Sequence, residues 1–413
     1  MGGVMGKENL VPELRFPEFV TDWKQYKLGE ITSWKSGNTP SKKNAKYWNG
    51  NLPWISASSM HDYMLLNSDL TISKEAWDTC AKIANQGSIL LLVRGSMLYN
   101  RIPFGLACVD VAFNQDVKAL TVDDRITAKF MLFWLMHSEH KLLSMVVGTG
   151  IGAGKLDTLE LKDLEILVPK LKEQQKIANF LTAIDQRITL LKEKKAVLEQ
   201  YKKSLMQKIF SQEIRLTDDK GNDFPDWEVN KLGEIAEFSK GKGLSKSDIS
   251  DFGMNKCIRY GELYTRYSEI IDEVHSKTDL DISNYITSQK NDVIIPSSGE
   301  TQLDIATASC VLNDGIIIGG DLNIIRSEIN GVFLAYYLNN FKKHKIAALS
   351  QGSSVIHLYA THLKSLKIDI PCQEEQQKIA NFLSAIDQKI NAMDKQITDS
   401  ELFKKGLLQR MFD

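Results

Sequence analysis

The sequence is poor in the groups that usually announce chemistry. Its five cysteines (Cys80, Cys108, Cys257, Cys310 and Cys372) are scattered through 413 residues. None forms a Cys-x-x-Cys and none sits in a Cys/His cluster, which argues against a zinc site and against a disulfide framework. An odd count of isolated thiols fits a reducing cytoplasm. No apolar run is long enough to span a bilayer, and Met1–Leu10 lacks the apolar stretch of a signal peptide. The expectation is a cytoplasmic chain with no membrane partner. The sequence contains no His-Glu-x-x-His, no Gly-x-Ser-x-Gly and no Asn/Asp-Pro-Pro-Tyr/Phe of an adenine methyltransferase. Gly148–Lys155 looks like a phosphate loop, but Thr149 stands where its first Gly should be and Leu156 follows the Lys. We therefore expect no catalytic, cofactor-binding or metal-binding residue in this chain. A basic excess is missing too, with Lys and Arg numbering 51 against 52 for Asp and Glu. Nucleic-acid binders usually carry such an excess. A DNA partner would then require basic residues gathered on one face, or partner subunits that supply much of the phosphate affinity.

What the chain does contain is itself, twice. Glu173–Leu181 reads Glu-Gln-Gln-Lys-Ile-Ala-Asn-Phe-Leu and recurs without change as Glu375–Leu383, 202 positions later. Ala183–Gln186 recurs as Ala385–Gln388. Lys27-Leu28-Gly29-Glu30-Ile31 recurs as Lys231–Ile235, with Trp23 and Trp227 at the same interval before each. Gly37 aligns with Gly241 and Gly95 with Gly299, and Glu13-Leu14-Arg15-Phe16 has an echo in Glu213–Leu216. Two segments of roughly 150 residues share only framework positions, whereas the segments that follow them are almost the same. One part of each copy does the same job twice; the other does a similar job on different targets.

The repeated segments are helical in pattern. Apolar residues fall at Ile177, Leu181, Ile184, Ile188 and Leu191, then Leu198, Leu205 and Ile209. The second set is Ile379, Leu383, Ile386, Ile390, Met393 and Ile397, then Leu407 and Met411. Spacing that averages 3.5 residues marks a coiled-coil seam, interrupted by Lys195 and Lys202 and by Ser400 and Lys404. Pro169 and Pro371 stand just upstream of each start. Each helix is about 40 residues, roughly 60 Å long. The helices either belong to unrelated bundles or pair with each other, and pairing across a pseudo-two-fold axis requires them to run antiparallel. Phe180 and Phe382 lie beside the seam, placed to dock a partner or to pack on the adjoining domain.

The variable segments show short β-type runs, such as Ser88–Val93 and Asp292–Ile295. Each also has one amphipathic helix near its end, Thr127–Val147 and Val332–Leu349. They read as mixed α+β domains. Polar loops fall at matching places but differ in chemistry. Candidate DNA contacts in the first copy are Lys35, Asn38, Lys42, Lys43, Ser56, Arg94, Ser96 and Lys155. In the second they are Lys240, Lys242, Arg259, Tyr260, Tyr264, Arg266, Ser298 and His357. Arg and Lys suit guanine edges and phosphates, and Ser and Asn suit bases or backbone.

The tandem layout, the Leu-Gly-Glu-Ile after Trp, and the two Glu-Gln-Gln-Lys-Ile-Ala-x-Phe-Leu starts together resemble the specificity subunits of type I restriction–modification enzymes. The resemblance covers essentially the whole chain. It implies an α+β fold of two similar target-recognition domains separated by two long antiparallel coiled-coil helices, pseudo-two-fold symmetric. The segments would be 1–19 at the N-terminus, 20–170 the first recognition domain, 171–213 the first spacer helix, 214–371 the second recognition domain and 372–413 the second spacer helix. It also implies that each domain reads one half of a bipartite site on double-stranded DNA. The helices would space the domains and dock two methyltransferase subunits, joined by restriction/translocase subunits. S-adenosylmethionine, ATP and Mg would belong to those partners. Two other classes stay open from the residues alone: a DNA-modifying enzyme on a duplicated scaffold, and a coiled-coil scaffold without DNA binding.

Overall fold

In a computed structural model the described residues are 11–150, 152–352 and 355–413. Most of the N-terminal segment (Met1–Leu10), Ile151 of the glycine-rich loop and the Ser353–Ser354 pair lie outside them. The chain divides into two compact units, one of residues 1–192 with 395–413 and one of residues 193–394. The division falls within both long helices, because each unit gathers the start of one helix and the end of the other.

In the first unit a five-stranded sheet runs in the order Thr32–Ser36, Val117–Val122, Ile89–Leu92, Phe104–Ala107, Met64–Leu65. In the second the order is Ala236–Lys240, Leu322–Ser327, Val293–Pro296, Ser309–Val311, Ile270–Ile271. These are the same positions in the two copies. Four successive residues of Ile89–Leu92 are buried, as expected of a strand covered on both faces. A separate antiparallel pair closes each domain, Lys24–Lys27 on Glu165–Val168 and Glu228–Lys231 on Lys367–Ile370.

The Leu-Gly-Glu-Ile repeat now has a physical account. It forms one helical turn, Leu28–Ile31 and Leu232–Ile235. Glu30 and Glu234 accept the backbone N–H of Lys27 and Lys231 at 3.0 and 3.3 Å, satisfying a donor that the turn leaves open. A Cβ at Gly29 would stand 2.9 Å from Lys162 Cβ, and one at Gly233 2.6 Å from Lys364 Cβ. Only glycine lets the chain pass there.

The amphipathic helix of the first domain spans Ala128–Ser144. Its counterpart departs from the expected single helix: Gly331–Tyr337 passes through a π-helical turn, Leu338–Lys342, before Lys343–Leu349. The wider turn coincides with two inward ties. The buried Lys342 reaches the Asp369 carboxylate at 3.1 Å, and the Asn339 amide bonds both backbone groups of Ala308.

The two long helices are Leu171–Phe210 and Gln373–Phe412. In the first unit Asp185 pairs with Lys404 at 2.6 Å and Lys192 with Glu401 at 2.6 Å. In the second, Lys195 pairs with Asp394 at 2.6 Å and Lys202 with Asp387 at 2.6 Å. Within each unit the pairs step forward along one helix as they step back along the other, so the segments run antiparallel. The lysines expected to interrupt the seam are members of it. Lys404 and Lys202 are largely buried along their stems and carry the ammonium to a carboxylate across the seam, as snorkelling side chains do.

The seam does not stop at the helices. Ile177 and Leu181 share one apolar cluster with Leu407, Met411 and the sheet of the first domain. Ile379 and Leu383 do the same with Met206, Ile209 and the second domain. Phe180 packs edge-on against Phe16, centroids 5.7 Å apart, and Phe382 remains partly exposed.

The helix starts are bolted down by the first two letters of the repeated motif. Glu173 is fully buried. It takes a bidentate pair from Arg15 at 2.7 and 2.8 Å and the indole N–H of Trp23 at 3.2 Å. Glu375 is held in the same way by Arg215 and by Trp227 at 3.1 Å. Gln174 accepts the Thr127 N–H at 2.7 Å and donates to the carbonyls of Arg125 and Pro169, each at 2.8 Å. Gln376 accepts the Asn330 N–H and donates to the Pro371 carbonyl.

Removing one partner of a buried ion pair strands the other, a cost of about 3–5 kcal/mol. Glu173→Ala should therefore lower the melting temperature of the first unit by roughly 6–20 °C and leave the second unit's transition in place, as calorimetry will show. Burial pushes the thiols of Cys257 and Cys310 up, to about 11 and about 12. Both should resist alkylation of the native protein at pH 8 and react once denaturant is added, as mass mapping of the adducts will show.

Candidate nucleic-acid interface

Arg94–Gly95 and Gly154–Lys155 lie side by side on an antiparallel ladder, with Arg94 opposite Lys155. Both side chains are exposed. Two like charges directly opposite one another are unfavourable on a sheet, and the nearby Asp157, 3.5 Å from Lys155, relieves only part of this. Such a pair suits an anion laid across it. The glycine-rich loop that resembled a phosphate loop is the hairpin beside this ladder: Val147–Gly148 pairs with Gly154–Lys155, and only the five-residue turn Thr158–Lys162 follows. Ser96 is exposed just beyond Gly95, and Tyr99, which the sequence did not single out, is exposed nearby. A Cβ at Gly148 would stand 3.3 Å from the Tyr99 hydroxyl.

The second domain builds the same ladder from other residues. Ser298–Gly299 pairs with Ile356–His357, and Ser298 lies opposite His357. The His357 ring stacks against Tyr359 at 6.1 Å. One framework position thus carries two cations in one domain and a hydroxyl with an imidazole in the other.

The remaining candidates fall into two groups. Lys42 and Lys43 are exposed in the loop before Ala45–Tyr47, and Lys42, Lys43, Arg94 and Arg266 make no ion pair among the described residues. Unpaired cations therefore sit in surface loops and on the short ladder, while many framework cations are neutralised by carboxylates. That is how a chain of net charge −1 presents local positive charge. Tyr260 and Tyr264 lie 6.4 Å apart beside Arg259 and Arg266, and Lys240 stands 4.0 Å from Asp321.

Other candidates are occupied within the fold. Asn38 donates to the Cys80 carbonyl at 2.7 Å and accepts the Lys82 N–H at 2.8 Å, so its amide braces the loop. Lys242 reaches the Asn284 carbonyl at 2.8 Å. Lys35 lies 3.4 Å from the Ile83 carbonyl, and the Ser56 hydroxyl bonds that of Ser58 at 2.9 Å. Gly37 and Gly241 keep these loops close to the sheet: a Cβ would meet the Asn114 carbonyl oxygen at 2.2 Å and the Gly319 carbonyl oxygen at 2.1 Å.

Among the described residues no group of His, Cys, Asp or Glu is arranged to hold a metal ion. No helix among them is long and apolar enough to cross a membrane.

Known proteins share this architecture. The type I restriction modification DNA specificity domain matches twice, over residues 21–200 and 225–400. The EcoR124I/EcoR124II specificity subunit of Escherichia coli is 33% identical over 174 residues, covering 42% of this chain and 43% of that protein; the match spans less than half of that relative's length. The MjaIX specificity subunit of Methanocaldococcus jannaschii is 24% identical over 408 residues, covering 94% and 92% of the two chains. The S subunit of a type I restriction–modification system from M. genitalium has the same fold, with a TM-score of 0.61 at 17% identity, covering 98% and 99% of the two chains.

Replacing Arg94 tests the ladder. If Arg94 reads a guanine, Arg94→Ala should cost about 1–3 kcal/mol of discrimination at one base pair. A phosphate contact would instead weaken all sequences alike and lower the salt slope by about one. Binding titrations at several salt concentrations distinguish the two, and unchanged binding would remove Arg94 from the interface.

Proposed function

The chain belongs to the type I restriction modification DNA specificity family, and from that premise we propose that it is the sequence-reading subunit of a type I restriction–modification complex in the cytoplasm. Each domain reads one half of a bipartite site on double-stranded DNA. The observation that carries this reading is the matched ladder: the same framework presents Arg94 with Lys155 in one copy and Ser298 with His357 in the other. A duplicated enzyme would keep its reacting groups in register, whereas a pair of readers keeps its scaffold and changes its tips.

The long helices supply the constant half of the job. Gln175, Asn179 and Gln186 are exposed on the first, and Gln377, Asn381 and Gln388 are exposed on the second. Neither core requires these side chains, yet they are the same in the two copies. Two copies of one partner fit two such faces, and we assign them to the methyltransferase subunits. Restriction/translocase subunits complete the complex. S-adenosylmethionine, ATP and Mg serve those partners. The chain itself is the non-catalytic component.

Exchanging residues 20–170 for the first domain of another family member should change one half of the methylated motif and leave the other half as it was. Sequencing of methylated adenines in host DNA reads this out. Changes in both halves, or in neither, would end the two-reader model.

A further inference from the structure

The second domain contains a cleft of about 590 Å³ bounded by Gly243–Lys246, Arg259–Glu262 and Gly319–Asp321. Its distinctive member is Arg259. The Arg259 backbone N–H donates to Glu262 Oε2 at 2.9 Å, and its Nη2 lies 3.6 Å from Oε1 of the same carboxylate. Glu262 is itself buried and accepts the Ser276 hydroxyl. The Nε of Arg259 is shut away from solvent and has no hydrogen-bond partner among the described residues. A buried donor left unmade is costly, so this domain holds the guanidinium in place against a local penalty. The side chain is only 26% exposed, and it lines the cleft.

The charge arrangement separates two roles. A phosphate contact draws on net positive charge, and Glu262 neutralises that of Arg259. Lys246 and Arg266, exposed on the same cleft, make no ion pair among the described residues and suit phosphates better. Arg259 retains its direction: a planar guanidinium lying beside a buried carboxylate, whose exposed N–H edge can match the O6 and N7 acceptors of guanine. The corresponding stretch of the first domain, Ser56–Ser59, has no cation and satisfies its hydroxyls internally, Ser56 on Ser58 and Ser59 on Ser68.

We infer that Arg259, positioned by Glu262, reads a guanine in the half-site bound by the second domain. The inference rests on the two-reader model above. The test uses the whole chain assembled with its methyltransferase subunits, with methylated motifs mapped on genomic DNA and the second half-site assigned by the domain exchange. Arg259→Lys keeps the charge and removes the fork. It should lower discrimination at one G·C pair of that half by roughly 5- to 150-fold and leave the first half unchanged. Glu262→Gln keeps hydrogen-bonding atoms and removes the charge. It should relax the same position while steepening the salt dependence of binding, because the freed cation now attracts phosphate, a shift that a merely structural role would not cause. If Glu262→Gln does not fold, Arg259→Lys decides alone. A wild-type complex with no bipartite motif overturns both the two-reader model and this inference. A wild-type bipartite motif that Arg259→Lys leaves intact, relaxes in its first half or weakens uniformly overturns the inference only.

Discussion

A carboxylate with no exposure to water holds each recognition domain to its helix. Burying Glu173 or Glu375 would be prohibitive for an isolated charge. It is tolerated because a bidentate guanidinium and an indole N–H surround it, the strongest geometry available for a paired carboxylate. Around Glu173 three separate pieces of chain meet: the segment before the domain (Arg15), the first residues of the domain (Trp23) and the first turn of the long helix. The neighbouring Gln174 and Gln376 extend the joint to the backbone at the start of the domain's own helix. The helix start, the entry to the domain and the start of the domain's own helix are thus tied together by a few polar side chains set into an apolar cluster.

Above that junction the molecule is conservative in its middle and free at its tips. The two five-stranded sheets keep one strand order, and the turns that need a glycine or a capping carboxylate keep both. The short surface ladders differ in their side chains between the two copies. They fix where a side chain starts without specifying which side chain it is. Loops carried on a rigid sheet are the usual place for recognition, and the ladders add a precision that free loops lack.

Much of this was legible in the sequence, and the exceptions have physical causes. The nine-residue identity, the helix lengths of about 40 residues and the two-domain plan follow from repetition and periodicity, which are local signals. The purpose of the Glu-Gln-Gln start was hidden, because its partners Arg15 and Trp23 are about 150 residues away. Lys202 and Lys404 looked like defects because a heptad reading counts only apolar atoms, and a lysine stem is apolar for most of its length. Asn38 looked like a reading group because composition cannot reveal that Cys80 and Lys82 already claim its amide. Glu262 was overlooked although the Arg259-x-x-Glu262 spacing was available as a clue; its weight comes from burial, which one sequence does not disclose.

The makeup of the joint bears on how such a chain changes over time. Arg15, Glu173 and Gln174 lie outside the recognition segment. What that segment contributes is the Trp23 indole together with the Thr127 amide and the carbonyls of Arg125 and Pro169. Every residue except proline offers an amide, and every residue a carbonyl. This polar joint therefore asks little of the segment's side chains beyond one tryptophan, while the rest of the attachment is apolar packing, as where Phe130 meets Phe412 with centroids 5.1 Å apart. A domain that keeps this tryptophan and its apolar face toward the helices can change its surface loops and still seat on the same helix ends.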